Sequence, residues 1–117
     1  MLKVYGIPNC NTVKKALDWL KAEKIAFEFH DFKKEGVTRT LLSNWSKQVG
    51  TEVLVNKRGT TWRTFSLEQQ AAAASKAGAI SLMMEKPSVI KRPIVERNGT
   101  VLSVGFEAAE WTQKVKG

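Results

Sequence analysis

An α/β fold is predicted: a strand–helix–strand half and a strand–strand–helix half share one small mixed sheet, with a helical insert between them. Three features of the sequence point to it. A short apolar run at residues 2–7 passes through Pro8-Asn9-Cys10-Asn11-Thr12 into a segment with helical spacing. From about residue 34 to residue 87 strand patterning is lost. The last third restores it, with two apolar runs on either side of Asn98-Gly99.

Residues 2–7 are bounded by turn-forming residues, as a buried strand is, and the turn that follows holds several side chains able to cap a helix. Val13, Ala16, Leu17 and Leu20 then recur at helical spacing, with Lys14, Lys15, Asp18 and Lys21 on the other side, so this helix lays one face on a sheet. Ile25, Phe27 and Phe29 alternate with Ala26, Glu28 and His30 and give a second strand. Strand, helix and strand in succession imply a parallel pair joined by a right-handed crossover.

The insert, about 34–87, carries Leu41, Leu42, Trp45 and Val49 behind Thr38 or Thr40. It continues with a helix from Ser66 through the alanine run and another from Ala79 to Met84. The run Ala71-Ala72-Ala73-Ala74 reads as plain helix propensity. Residues 56–63 are polar, contain Gly59 and are read as a loop. Glu85-Lys86-Pro87 closes the insert, since proline disfavours helical geometry at its predecessor. Asn98-Gly99 between apolar runs is a strong hairpin signal, because both turn positions need positive φ. A helix from Phe106 or Glu107 to Val115 ends the chain. This order of elements is that of the thioredoxin-like fold with a helical insert.

At 117 residues, 43% hydrophobic and 26% charged, the chain has the composition of one globular domain, 1–117, rather than of a disordered tail. No apolar stretch approaches the roughly 20 residues that cross a bilayer, and no signal-peptide pattern opens the chain. One cysteine cannot form an internal disulfide, so a cytoplasmic monomer is expected. A net charge of +8 favours anionic partners: nucleic acid, a small anion such as glutathione, or an oxyanion. The basic residues are spread through the chain instead of forming a block, which favours solvation over nucleic-acid binding.

Cys10 is the residue on which chemistry can be built. A free thiol is only about 3% thiolate at neutral pH, so a working nucleophile needs a lowered pKa. The amides of a helix starting near Asn11 and the helix dipole supply roughly 0.3–1 kcal/mol, less than one pKa unit. Cations must add the rest, and Arg58, Arg63, Lys91 and Arg92 are available. Arg92 is preferred, because in a thioredoxin-like fold the proline before the hairpin, here Pro93, is cis and lies opposite the thiol. A lone cysteine can also be inert core filler; its place in a strand-to-helix turn is what argues for reactivity. Val13 stands where a Cys-x-x-Cys motif has its second cysteine, so a catalytic cycle needs an external thiol, for which glutathione is suited. His30, the sole histidine, falls on a polar strand face, and neither a metal site nor a Cys–His pair is expected. Trp45 and Trp111 have core spacing, and Trp62 alone could touch a ligand.

Three ordered blocks carry a family resemblance: Tyr5-Gly6-Ile7-Pro8-Asn9-Cys10-Asn11-Thr12-Val13-Lys14-Lys15-Ala16, Leu54-Val55-Asn56-Lys57-Arg58-Gly59-Thr60-Thr61-Trp62-Arg63 and Ile90-Lys91-Arg92-Pro93-Ile94. Together they resemble the arsenate reductase (ArsC) and Spx family, above all its YffB-like branch. In the arsenate reductases of the family the cysteine attacks arsenate, arginines hold the oxyanion, and glutathione with glutaredoxin completes reduction. Cys10 and Arg92 match that scheme, and Arg58 matches the arginine of the middle block. Two positions depart from it: Gly6 replaces a histidine, and Val104 or Gly105 stands where a third arginine is expected. A backbone amide does not replace a bidentate guanidinium. The Spx regulators bind RNA polymerase and carry a Cys-x-x-Cys switch, which Val13 removes here. The YffB-like branch is regarded as a group of glutathione-dependent thiol reductases. That resemblance implies Cys10 as nucleophile and glutathione carboxylates on Arg58 and Arg92. It further implies a tripeptide backbone paired beside Pro93, with Asn9, Asn11 and Thr12 lending amides or capping oxygens. No bound cofactor is implied. Three readings follow: thiol–disulfide reductase, arsenate reductase, and polymerase-binding regulator.

Overall fold

Strand β1 (Leu2–Gly6) has a neighbour on each side, which explains its apolar run: Leu2, Val4 and Tyr5 are all buried. The structure, a computed structural model, describes residues 1–116; Gly117, the last residue of the domain expected over 1–117, lies outside them. After β1 come α1 (Asn11–Ala22), β2 (Phe27–Asp31) and α2 (Phe32–Glu35). The helical stretch holds α3 (Arg39–Val49), α4 (Thr51–Leu54), α5 (Thr60–Thr64), α6 (Leu67–Ala72), α7 (Lys76–Glu85) and a 3-10 turn at Pro87–Val89. Then follow β3 (Ile94–Arg97), β4 (Thr100–Val104) and α8 (Ala108–Trp111), extended by a π turn at Thr112–Lys116. Two compact units result: Met1–Phe32 with the chain from Arg92 onward, and Lys33–Lys91.

The sheet of the first unit has the order β2-β1-β3-β4. β1 runs parallel to β2, with Leu2 opposite Phe27, and antiparallel to β3, with Tyr5 opposite Ile94. The second strand begins at Phe27 rather than at Ile25, because the end of α1 claims Ile25. Lys24 takes a left-handed φ of 57°, and the Ile25 N–H donates back to the Leu20 carbonyl at 2.9 Å, the Schellman closure of a helix. The hairpin forms at Asn98 and Gly99, with φ of 53° and 82°, as their sequence requires.

On one face of this sheet, Ala16 and Leu20 of α1 pack with Leu2, Val4 and Val95 and with Trp111 and Val115 from the closing helix. Trp111 is fully buried, so its indole N–H needs an acceptor, and it donates to Ser103 Oγ at 3.1 Å and to the Gly105 carbonyl at 3.0 Å. Its ring meets Trp19 and Phe106 edge-on. On the opposite face the Tyr5 hydroxyl donates to the buried Glu96 carboxylate at 3.1 Å, which offsets the cost of burying that group. His30 stacks on the Tyr5 ring with centroids 4.7 Å apart.

In the helical unit, Thr38 caps α3 by accepting the Leu41 N–H at 3.1 Å, and Ser66 and Gln69 form a reciprocal capping box at α6. α3 buries Leu42 and Trp45 and packs on α7, whose Ala79, Ile80, Leu82 and Met83 are buried. The helix expected through the whole alanine run stops at Ala72. There Ala73, Ala74 and Ser75 donate to carbonyls three residues back, and Ser75 starts α7 as its N-cap. Gly78 lets α7 approach this turn: a Cβ there would collide with the Ala72 carbonyl. In an open helix Gly→Ala gains about 0.5–1 kcal/mol. Gly78→Ala is expected instead to lower stability by about 1–3 kcal/mol, an overpacking cost, read as a lower urea midpoint; a raised midpoint would contradict this packing.

Candidate functional site

Because β1 and β3 are antiparallel, the end of β1 and the entry to β3 lie at the same end of the sheet. With Tyr5 opposite Ile94, the chain leaving β1 toward Cys10 runs beside Arg92 and Pro93. The Arg92–Pro93 peptide bond is cis, as expected. Cys10 is itself the N-cap of α1: its backbone is extended (φ −138°, ψ 124°) and its carbonyl accepts the Lys14 N–H at 2.9 Å. The half-buried thiol makes no side-chain cap hydrogen bond.

Burial of the sulfur raises its pKa. The Val13 N–H, a hydrogen bond from the Arg92 side chain, the positive charge of Arg92 and the Thr12 N–H together outweigh that penalty, so the thiol ionises below its ordinary value. No acidic residue occupies the first turn of α1 to oppose the thiolate.

Of the residues proposed from sequence, Cys10 and Arg92 are thus brought into direct contact. Pro93 is buried, and its carbonyl accepts the Gly105 N–H at 2.8 Å. Asn9, Asn11 and Thr12 are exposed around the turn. Since Cys10 holds the N-cap, Asn11 and Thr12 are the first two helical residues and none of the three caps α1; Thr12 contributes its amide. Val13 joins the site through its backbone, a role its side chain does not announce. Its N–H stands at the third helical position, where an N-cap acceptor finds its donor, so the capping rule would have named it.

Arg58 and Arg63 belong to the helical unit, and both are exposed. The expected loop over 56–63 ends at Gly59. From Thr60 the chain is helical, held by Thr61 Oγ1 bonding Ser88 Oγ at 3.0 Å and by Thr64 Oγ1 bonding the Thr61 carbonyl at 2.7 Å. Arg63 is therefore on a helix. Trp62 is half-buried, with the Lys57 ammonium 5.5 Å from its ring centre.

A mixed sheet whose central strand leads into a helix-capping cysteine, beside a cis-proline, defines a protein of thioredoxin-like fold with a single-thiol site. The ArsC family model matches residues 5–114, and the chain belongs to the ArsC family. A solved structure described as a YFFB protein is 38% identical, covers 97% of this chain and 98% of its own, and superposes with a TM-score of 0.91. An arsenate reductase (ArsC) related protein from Brucella melitensis is 40% identical, with 99% and 95% coverage and a TM-score of 0.78. The global transcriptional regulator Spx 2 of Lactococcus lactis is 27% identical over 112 residues, 94% of this chain and 83% of that protein.

The rate of Cys10 alkylation is expected to rise with pH about a midpoint below that of free cysteine. Arg92→Ala should move the midpoint up and slow the reaction about three- to tenfold at neutral pH, the range of a charged hydrogen bond on a half-exposed group. The same shift ties folding to pH. With the folded pKa below the unfolded one, native stability rises as pH climbs from the folded value to that of an ordinary thiol and is lost as pH falls back. Urea titrations of Cys10→Ala should lack that slope; an unchanged slope would assign it to another group.

Proposed function

We propose that this protein is a glutathione-dependent thiol–disulfide reductase with Cys10 as its nucleophile. The observation that carries the reading is the convergence of the Arg92 guanidinium and the Val13 and Thr12 amides on one sulfur. In the first step the Cys10 thiolate attacks the glutathione sulfur of a glutathionylated substrate, the S–S bond breaks, and the substrate leaves as a thiolate that takes a proton from water. In the second, the thiolate of another glutathione attacks the Cys10–glutathione disulfide, releasing oxidised glutathione and restoring the Cys10 thiolate. The substrate disulfide is reduced and two glutathione sulfurs end as one disulfide. A glutaredoxin thiol can stand in for the second glutathione.

Arsenate reduction is the second reading, and the ArsC-related structure from Brucella melitensis speaks for it. The residues around the sulfur favour the thiol reaction instead. The thiol-bearing unit has two arginines: Arg92 meets Cys10, while Arg97 donates to the Val115 carbonyl at 3.2 Å. Where the family's third arginine is expected stands Val104 or Gly105, and Gly105 is committed through its backbone to Pro93 and Trp111. Gly6 holds the place of the histidine, and even a Cβ there would come within 2.9 Å of Val13 Cγ2. From the thiol-bearing unit a multiply charged oxyanion would meet one guanidinium at the sulfur, where bidentate recognition favours more. For the regulator reading, Val13 leaves no second cysteine to switch.

Incubation with oxidised glutathione should give a single glutathione adduct, located at Cys10 by mass spectrometry and absent in Cys10→Ser. Turnover of a glutathionylated peptide with reduced glutathione should fall about tenfold in Arg92→Ala, the cost of one charge-assisted hydrogen bond. No adduct, or robust arsenate reduction with glutathione and glutaredoxin but none of the peptide, would overturn the reading.

A further inference from the structure

Most of the chain's net positive charge belongs to the helical unit. Of the net +8, +6 falls within Lys33–Lys91, which holds ten lysines and arginines against four glutamates. Part of that charge lines a cleft of about 570 Å³, within the range of small-ligand sites, whose walls hold Lys57, Arg58 and Lys91 together with Glu52 and the apolar Val53 and Val55. The cleft lies wholly in the helical unit.

Its frame is backbone, not chance rotamers. Val55 and Ile90 form an antiparallel bridge; the Asn56 N–H donates to the Val89 carbonyl at 2.8 Å and the Lys91 N–H to the Leu54 carbonyl at 2.7 Å. Lys91 is thereby fixed opposite the segment that carries the other cations. Asn56 Oδ1 accepts the Arg58 N–H at 3.2 Å, and Lys57 rests over the Trp62 ring. A preformed frame of this kind lowers the ordering cost of binding.

The charge pattern selects the ligand. Three cations suit a carboxylate, but Glu52 beside them repels a bare oxyanion and suits an ammonium. All four line the cleft, and among the described residues no ion pair within 4 Å joins Glu52 to Lys57, Arg58 or Lys91. Val53 and Val55 offer contact to methylenes. We propose that this cleft binds the zwitterionic head of an α-amino acid carried on an aliphatic chain, its carboxylate to Lys57, Arg58 and Lys91 and its ammonium to Glu52. The γ-glutamyl end of glutathione is such a group; choosing it as the ligand rests on the function proposed above, while the recognition chemistry does not.

The test uses S-methylglutathione, whose blocked sulfur cannot exchange with Cys10, added to the full-length protein and followed by amide shift perturbation. Shifts are expected at Glu52, Asn56, Lys57, Arg58 and Lys91. Lys91→Ala should weaken binding about three- to fivefold, the range of a solvent-accessible ion pair. Glu52→Gln should weaken S-methylglutathione by a similar factor yet leave its N-acetyl derivative, which has no ammonium, unaffected. Inorganic phosphate that binds as well as S-methylglutathione, with no loss in Glu52→Gln, would reduce the cleft to a plain anion site and overturn the proposal. Shifts confined to the Cys10 turn would also overturn it while leaving the thiol function intact. Cleft binding without any Cys10 adduct from oxidised glutathione would support the cleft and refute the thiol function.

Discussion

A thiolate needs compensation at atomic range, and beside Cys10 the contact with Arg92 joins the Val13 and Thr12 amides in supplying it. The helix end alone falls short: a dipole worth roughly 0.3–1 kcal/mol moves a thiol by less than one pKa unit, and burial works against it. The contact in turn depends on topology. Cys10 and Arg92 are 82 positions apart in sequence and meet because β1 and β3 pair antiparallel, with Tyr5 opposite Ile94. A slip of one residue in that register would exchange the faces of β3, taking Val95 out of the core and Glu96 away from the Tyr5 hydroxyl. The packing that holds the register therefore holds the chemistry.

The two units divide the electrostatic work differently. The thiol-bearing unit has nine basic side chains against seven acidic ones and directs one guanidinium at the sulfur. The helical unit holds most of the excess charge, on exposed side chains such as Lys57 and Arg58 where solvent screens each one. One cation beside a half-buried atom shifts its protonation; many solvent-screened cations raise the local concentration of anions without altering any single group. Reactivity and attraction are thus set by different residues.

What could be read from the sequence was whatever depends on local patterning or on a residue with one strong role. The apolar run of β1, the helical stripe of α1 and the Asn98-Gly99 turn are of the first kind, and each is found where expected. Cys10 and Arg92 are of the second. Misreadings arose where a backbone group does the work of a side chain. Asn9, Asn11 and Thr12 suggested caps because their oxygens are good acceptors, yet the extended backbone of Cys10 makes the cysteine the cap and gives the donor role to the Val13 amide, which composition does not reveal. Lys24 ended α1 in a left-handed conformation where glycine would have signalled the stop, so the start of β2 was placed two residues early. The polar stretch after Asn56 looked like loop throughout, but Thr61 and Thr64 hydroxyls bind its second half into a helical turn. Glu52 and Lys91 face one cleft only because a bridge between Val55 and Ile90 joins segments about 35 positions apart, a pairing no local pattern predicts.

The absence of a second cysteine bears on how the proposed cycle turns over. With Val13 buried at that position, a disulfide between Cys10 and glutathione has no resolving thiol in the chain and persists until an external one arrives. Resolution then depends on Cys10 as a leaving group, and thiols of low pKa leave faster. The Val13 amide, the Arg92 guanidinium and the Thr12 amide that lower the pKa of the sulfur are the same groups that would stabilise its negative charge when it departs. One arrangement would thus serve both halves of the proposed reaction. A single-thiol site loses less by lacking a partner than it would if its cysteine were ordinary, because the environment of the sulfur does in the second step what a resolving cysteine would otherwise accelerate.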